Sequence, residues 1–316
     1  MGSKITYKKD YVTRINLKTD TNQREKLIDF CLHDKNQFLA IGWSCVDFES
    51  DDYSAFYGAV VTYVHGQKRR LNSALNIFKD ACVNDLFWTR DLNGVYWICR
   101  VTEPAKAYLN KDLDIGAILP VKAYAFGLEV PGLIKASFNR SRGGIVERLK
   151  DSTIIEYSKY VFNKLSKKDY YEDNLNIENN MIDNLPAFEL EELVISYIQI
   201  VEGYYLLSNS IANKSTTVKI ECQFISRDIN NLKKAVVQVK AKQATALDAL
   251  SFKAYEDKGY YIYLYAPTIN NMEKMKNVIK ITSKELQYFY DKYKAILPES
   301  ITQFENLFNI GFSEKQ

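Results

Sequence analysis

The sequence predicts two domains, a β-rich α+β domain followed by an α/β domain. Three observations carry this. The chain has 316 residues, more than one core of ordinary size requires. Residues 38–140 set short apolar runs between turn residues, whereas residues 185–316 alternate helix-like and strand-like periods. Between them lies SKKDYYEDNLNIENNMIDN, residues 166–184, rich in Asn, Asp and Glu and without a period, which reads as a linker. The domains are therefore expected at 1–165 and 185–316.

In the first domain, residues 38–43 read as a strand and the polar stretch Glu49 to Tyr53 breaks it. Apolar residues at 71, 74, 75, 78 and 82 have a helical period. Residues 86–90 and 95–102 flank Asp91-Leu92-Asn93-Gly94, a β-hairpin pattern in which Asn-Gly supplies a turn tolerant of positive φ. Two short strands are expected within 117–127, ahead of Val130-Pro131-Gly132, and a helix over 152–165. The three tryptophans, Trp43, Trp88 and Trp97, all fall here. Large aromatics form cores, but they also receive bases drawn out of a nucleic-acid stack.

In the second domain a helix begins near Pro186 and carries the apolar stripe Leu190, Leu193, Val194, Tyr197, Ile198 and Val201, with Gly203 at its end. TVKIECQFIS (217–226) alternates, with Val218, Ile220, Cys222 and Phe224 facing one way and Lys219, Glu221 and Gln223 the other. AVVQVKA (235–241) is a second strand with Val236, Gln238 and Lys240 on one face. Residues 243–257 suit a helix, YYIYLYA (260–266) a buried central strand, and 283–294 and 298–309 further helices.

Polar residues inside apolar strands are the chemical signal. Glu221, Gln238 and Lys240 lie on two adjacent strands, and a buried charge needs a partner or a ligand. A hard cation such as Mg²⁺ takes carboxylate and neutral oxygens, which Glu221 and Gln238 offer, and Lys240 is placed to orient water or steady phosphate charge. Singly, each residue reads first as a solvated or ion-paired strand residue; in order and on matching faces, the three together read as a site. The five cysteines lack paired spacing and the two histidines are too few for a His-based centre, which argues against structural zinc and a disulfide framework. A net charge of +3 neither requires nor excludes nucleic acid. No apolar run is long enough to span a membrane and the N-terminus is polar, so a cytoplasmic protein is expected.

The helix ending in Glu202-Gly203-Tyr204, the strand with Glu221 and AVVQVK resemble the PD-(D/E)XK nuclease core in its Mrr-like form, over about residues 185–310. That resemblance implies a central mixed sheet flanked by helices, a Gln-x-Lys element at Gln238 and Lys240, an acidic ligand at Glu221, and a helix glutamate at Glu191 within LEELV. Glu in place of the commoner Asp, and Gln in place of the second carboxylate, leave one negative charge fewer at the metal. FLAIGW, DLFWTRDLNGVYWICRV and VPGLIKASFNR resemble EVE-like members of the PUA superfold, a β-barrel whose aromatic pocket holds a flipped, often modified base. This implies base recognition by Trp43, Trp88 and Trp97, with Asp47 and Asp85 reading the base edge. Lys135, Arg140 and Arg142, near FNRSRGG, suit DNA-backbone contact. Together the two resemblances imply a type IV, modification-dependent restriction endonuclease that uses Mg²⁺ and acts on double-stranded DNA, with a homodimer expected from two-strand cleavage. The competing expectation is a non-catalytic nucleic-acid-binding or regulatory subunit of a defence complex.

Overall fold

The computed structural model describes residues 4–18, 22–48, 50–64, 71–140, 144–172, 181–207, 220–241, 246–305 and 307. The chain divides into two compact units, Met1–Asn174 and Leu175–Gln316.

The strands of the first unit are β1 (Val12–Ile15), β2 (Gln37–Ile41), β3 (Leu86–Arg90), β4 (Tyr96–Val101), β5 (Lys106–Asn110), β6 (Ile115–Gly127) and β7 (Val146–Leu149). Its α-helices are α1 (Arg24–Ile28), α2 (Tyr53–Tyr63), α3 (Leu71–Lys79), α4 (Gly132–Asn139) and α5 (Ser152–Ser166). The sheet runs β2-β6-β4-β3-β1-β7, with β5 also on β6. Where the sequence suggests two short strands, β6 is a single strand of 13 residues. One edge pairs β2 through Ala117–Val121, while the other pairs β5 near Ile118 and then β4 from Val121 to Gly127. The change of partner falls beside Pro120, which has no N–H to give a ladder, and the sheet as a whole is a curled half-barrel. Gly116 lets β6 pass close to its neighbours, since a Cβ there would lie 2.5 Å from both the Gly42 carbonyl oxygen and Phe56 Cε2. The core between sheet and helices holds Leu39, Phe56, Leu75, Phe78, Phe87 and Ile115.

The residues read as a linker are partly taken up by the two folds. Tyr171 is fully buried in the first unit, pairs with Ile5, and its backbone carbonyl accepts from Asn163 Nδ2 at 2.9 Å. Met181–Asn184 forms the short helix α6 of the second unit. An Asn- and Asp-rich stretch gives no period, so sequence patterning does not register these anchor points.

The second unit continues with α7 (Ala187–Ile200), β8 (Tyr204–Leu207), β9 (Cys222–Ser226), β10 (Lys234–Val239), β11 (Leu247–Asp248), α8 (Lys253–Glu256), β12 (Tyr260–Tyr265), β13 (Ile269–Asn270), β14 (Val278–Lys280), α9 (Ser283–Tyr293) and α10 (Glu299–Thr302). Its mixed sheet has the order β14-β12-β10-β9-β8; β8, β9 and β10 form an antiparallel meander, and β12 and β14 add in parallel. On one side α7 buries Leu190, Leu193, Val194 and Ile198, and Tyr204 meets Phe224 and Tyr263 edge-on. On the other side Val236, Ile262 and Leu264 pack with Ile220, Ala249, Phe252 and Met275. Ile220 therefore does not share a face with Cys222 and Phe224, as simple alternation predicts. The Glu221 N–H donates to the Val237 carbonyl (2.9 Å), although Val237 is already the ladder partner of Cys222. Two residues against one kink the strand at Glu221 and pass Ile220 across the sheet.

Candidate functional site

Glu221 stands at this kink, where the chain enters β9. Its Oε1 accepts a 2.5 Å hydrogen bond from Nε2 of Gln238, near the end of β10. The same Nε2 donates to the carbonyl of Val239 at 3.0 Å. Gln238 is buried, and its Oε1 has no hydrogen-bond partner among the described residues. A buried acceptor left unpaired costs about 1–3 kcal/mol. The amide is oriented by Glu221: a carboxylate only accepts, so the amide nitrogen must face it.

Glu191 approaches from α7. Burial first, and then the carboxylates of Glu221 and Glu191, push the Cys222 thiol up to about 12. Both carboxylates thus act on one buried atom of β9. Lys240 extends the β10 ladder by one bond, its N–H donating to the Tyr265 carbonyl at 2.8 Å, and strand alternation returns it to the side of Gln238. The structure therefore brings Glu221 and Gln238 into contact and places Lys240 two residues beyond Gln238, on the Val236 side of the sheet, while Glu191 stands on α7, on the Cys222 side.

Among the described residues no group of three or more His, Cys, Asp and Glu side chains is placed to hold a metal. A cation here would rely on the carboxylate of Glu221, the oxygen of Gln238 and water. The donor chemistry fits a hard cation such as Mg²⁺, and the unpaired Gln238 oxygen is the atom such an ion would satisfy by turning the amide.

In the first unit the tryptophans separate. Trp88 pairs with Ile98 and Trp97 with Thr89 across β3 and β4, so the two indoles lie on opposite sides of the sheet and cannot wall one pocket. Trp88 is fully buried, donates from Nε1 to Ser158 Oγ at 2.9 Å and stacks with Tyr157 at 6.4 Å; it is a core residue, which corrects its expected role. Trp97 is half-buried, donates to Asp91 Oδ2 at 3.1 Å and lies 5.3 Å from the His33 ring. Trp43 and Trp97 both flank the core formed by Leu39, Phe87 and Cys99. Trp43 has φ 70°, a conformation that costs a bulky L-residue about 1–3 kcal/mol and persists only where the surroundings enforce it. The enforcing contacts are Ser44, whose N–H and hydroxyl both donate to Asp114 Oδ1 (3.2 and 2.8 Å), and Val46 N–H, which donates to the Trp43 carbonyl at 3.2 Å.

The other expected residues divide further. Asp85 is buried, accepts from Cys82 N–H at 2.8 Å and pairs with Lys9, so it ties a loop instead of reading a base. Asp47 is exposed, with Lys111 at 3.5 Å. Lys135 pairs with Glu129 at 2.7 Å and Arg140 with Glu147, which also holds buried Arg14 at 2.8 Å. Those carboxylates offset the positive charge expected to meet DNA. Arg142 lies outside the described residues. Asp91, Asp114 and His33 escape sequence reading because each is an ordinary polar residue until the fold sets it beside a tryptophan.

The chain matches no protein-family model, no curated protein and no solved structure. No helix among the described residues is long and apolar enough to cross a membrane.

Proposed function

We propose that the chain is a modification-dependent DNA endonuclease of the Mrr-like PD-(D/E)XK kind, whose first unit reads a modified base in the manner of EVE/PUA-like domains. The observation that carries the reading is the contact of Glu221 with Gln238 at the bulged end of two antiparallel strands, with Lys240 following on β10's continuation. Bound Mg²⁺ supplies Lewis-acid activation of the scissile phosphate. Glu221 and Gln238 contribute its oxygen ligands, and the Lys240 ammonium orients the attacking water or steadies charge on the phosphate. In the first unit, Trp97 and the strained Trp43 are the aromatic faces for the extruded base. The protein is proposed to work in the cytoplasm as a homodimer on double-stranded phage or foreign DNA.

The test is incubation with Mg²⁺ and phage DNAs that differ only in base modification. Cleavage confined to modified DNA and abolished by Lys240→Ala supports the reading; cleavage that survives Lys240→Ala removes it.

One observation favours a second reading, a nucleic-acid-binding subunit without cleavage. Both N–H groups of the Gln238 amide are used, one on Glu221 and one on the Val239 carbonyl, so Glu221 Oε1 has a hydrogen-bond donor without a metal. Unchanged thermal stability on adding Mg²⁺ selects that reading.

A further inference from the structure

The helix α9 carries a stripe that the packing of its unit does not use. Lys284, Tyr288 and Lys292 are spaced by four and share one side of the helix; all three are exposed, Tyr288 at 69%. The two lysines stand about 12 Å apart along the axis, with a ring between them. Among the described residues of this unit, the lysines held in ion pairs are Lys253 and Lys294. Of the nearby acids, Glu285 lines the groove at its Thr282 end and closes the capping box there, Glu202 accepts from Tyr197 at 3.3 Å, and Asp291 accepts from Gln287 at 3.0 Å.

Beside the stripe, α7 and α9 enclose a groove of about 470 Å³ lined by Tyr197, Val201, Phe289 and Tyr293 together with the stripe itself. Its rings form a ladder, Tyr197 edge-on to Phe289 at 5.6 Å and Phe289 to Tyr293 at 5.1 Å. At Thr282 the groove adjoins a second cavity, of about 380 Å³, lined by Tyr265, Lys280 and Ser283.

Cations outside any ion pair among the described residues, Lys284 and Lys292 (the latter over the Tyr293 ring at 5.1 Å), alternate with an exposed ring over a floor of further rings, a pattern that matches an anionic chain carrying flat bases. We propose that this groove is a track for single-stranded nucleic acid: Tyr288 stacks on a base, and Lys284 and Lys292 hold flanking phosphates. The occupant rests on the nucleic-acid reading above; the charge and ring pattern do not.

The test uses the full chain in EDTA, so that binding is scored apart from cleavage, with fluorescein-labelled fifteen-residue oligothymidylate followed by fluorescence anisotropy. Tyr288→Ala is expected to weaken binding about tenfold and Tyr288→Trp to retain it, since base–aromatic stacking tolerates any ring. The double variant Lys284→Gln/Lys292→Gln is expected to reduce the slope of log affinity against log salt by about 1.4, the value for two phosphate contacts on a single strand. Oligothymidylate bound equally by wild type and variants, or not bound at all, overturns the track. So does a solution mass that is dimeric for wild type and monomeric for Tyr288→Ala, which makes the stripe a contact between copies. A protein that cleaves DNA while its track variants bind normally loses the track and keeps the nuclease reading; one that binds through the track and cleaves nothing does the reverse.

Discussion

Replacing Gln238 with glutamate tests the proposed cation site from the inside. The Gln238 amide nitrogen lies 2.5 Å from Glu221 Oε1, so Gln238→Glu sets two carboxylates within hydrogen-bond distance in a buried place. Without a cation they cannot both stay ionised, and one is held protonated. Its folded pKa is then raised above the ordinary carboxyl value. The sign follows: the variant is most stable in acid and loses stability as pH rises from the unfolded carboxyl value through the elevated folded one. The loss at neutral pH is bounded by the cost of keeping a proton on a carboxyl of ordinary pKa about 4.3, roughly 3.7 kcal/mol at about 1.4 kcal/mol per pH unit. For a unit of this size that corresponds to a fall in Tm of roughly 10 °C. Adding Mg²⁺ reverses it, because two anionic ligands bind the ion better than one. Thermal melts of wild type and Gln238→Glu, at acid and neutral pH, in EDTA and in Mg²⁺, read all of this. A variant that melts like wild type in EDTA at neutral pH removes the close contact. One that is destabilised but unmoved by Mg²⁺ removes the cation site.

Other consequences are independent of the metal. Gly116→Ala forces a methyl to within 2.5 Å of the Gly42 carbonyl oxygen and Phe56, and is expected to cost about 1–3 kcal/mol in a denaturant titration; an unchanged midpoint contradicts the close approach. Trp88→Phe gives up the bond to Ser158 and part of a stacked core, lowering stability by about 1–3 kcal/mol with modified-DNA affinity unaltered, whereas Trp97→Ala lowers that affinity at a smaller cost in stability. The reverse pattern in parallel binding and melting assays exchanges their roles. The Glu256 carboxylate is held down to about 2 by its hydrogen bond from Lys253 and by the N–H groups of Asn277 and Lys276. A depressed carboxyl gives stability that is present above its ordinary value of 4.5 and is lost as pH falls through about 2. Glu256→Gln is expected to flatten Tm across that window, and an unaltered acid limb counts against the anchoring of the Lys276–Asn277 turn.

What the sequence reveals and what it conceals have physical causes. The stripe of α7 is legible because one face is buried and the other solvated, and its ends follow from Pro186 and from Gly203, whose φ is 74°. Tyr260–Tyr265 reads as a central strand and has neighbours on both edges. The β3–β4 hairpin is visible from Asn93-Gly94, with Gly94 at φ 82°. By contrast α2 is apolar nearly all round and gives no period, and β1, β7 and β14, of three or four residues, are too short to show alternation. The helix expected over 243–257 is instead a short 3₁₀ turn, Ala249–Phe252, leading into α8, while residues 217–219, 243–245, 306, 308 and 309 of the expected elements lie outside those described. In the candidate site, Glu221 and Gln238 are legible because polar side chains interrupt apolar strands. The kink that orients Glu221 is not, since a bulge is decided by which carbonyl an N–H finds. The tryptophans mislead for a related reason: composition places all three in one unit, but only the β3–β4 register shows that Trp88 and Trp97 point apart.

The most direct measurement is a titration of the metal-free protein with Mn²⁺ as a Mg²⁺ surrogate, followed by electron paramagnetic resonance, on wild type and on Glu221→Gln. The account predicts a bound-ion signal at one site per chain in wild type, lost or weakened at least tenfold in Glu221→Gln, and strengthened in Gln238→Glu. Equal binding by wild type and Glu221→Gln contradicts it, because the ion is then held somewhere that the contact between β9 and β10 does not reach.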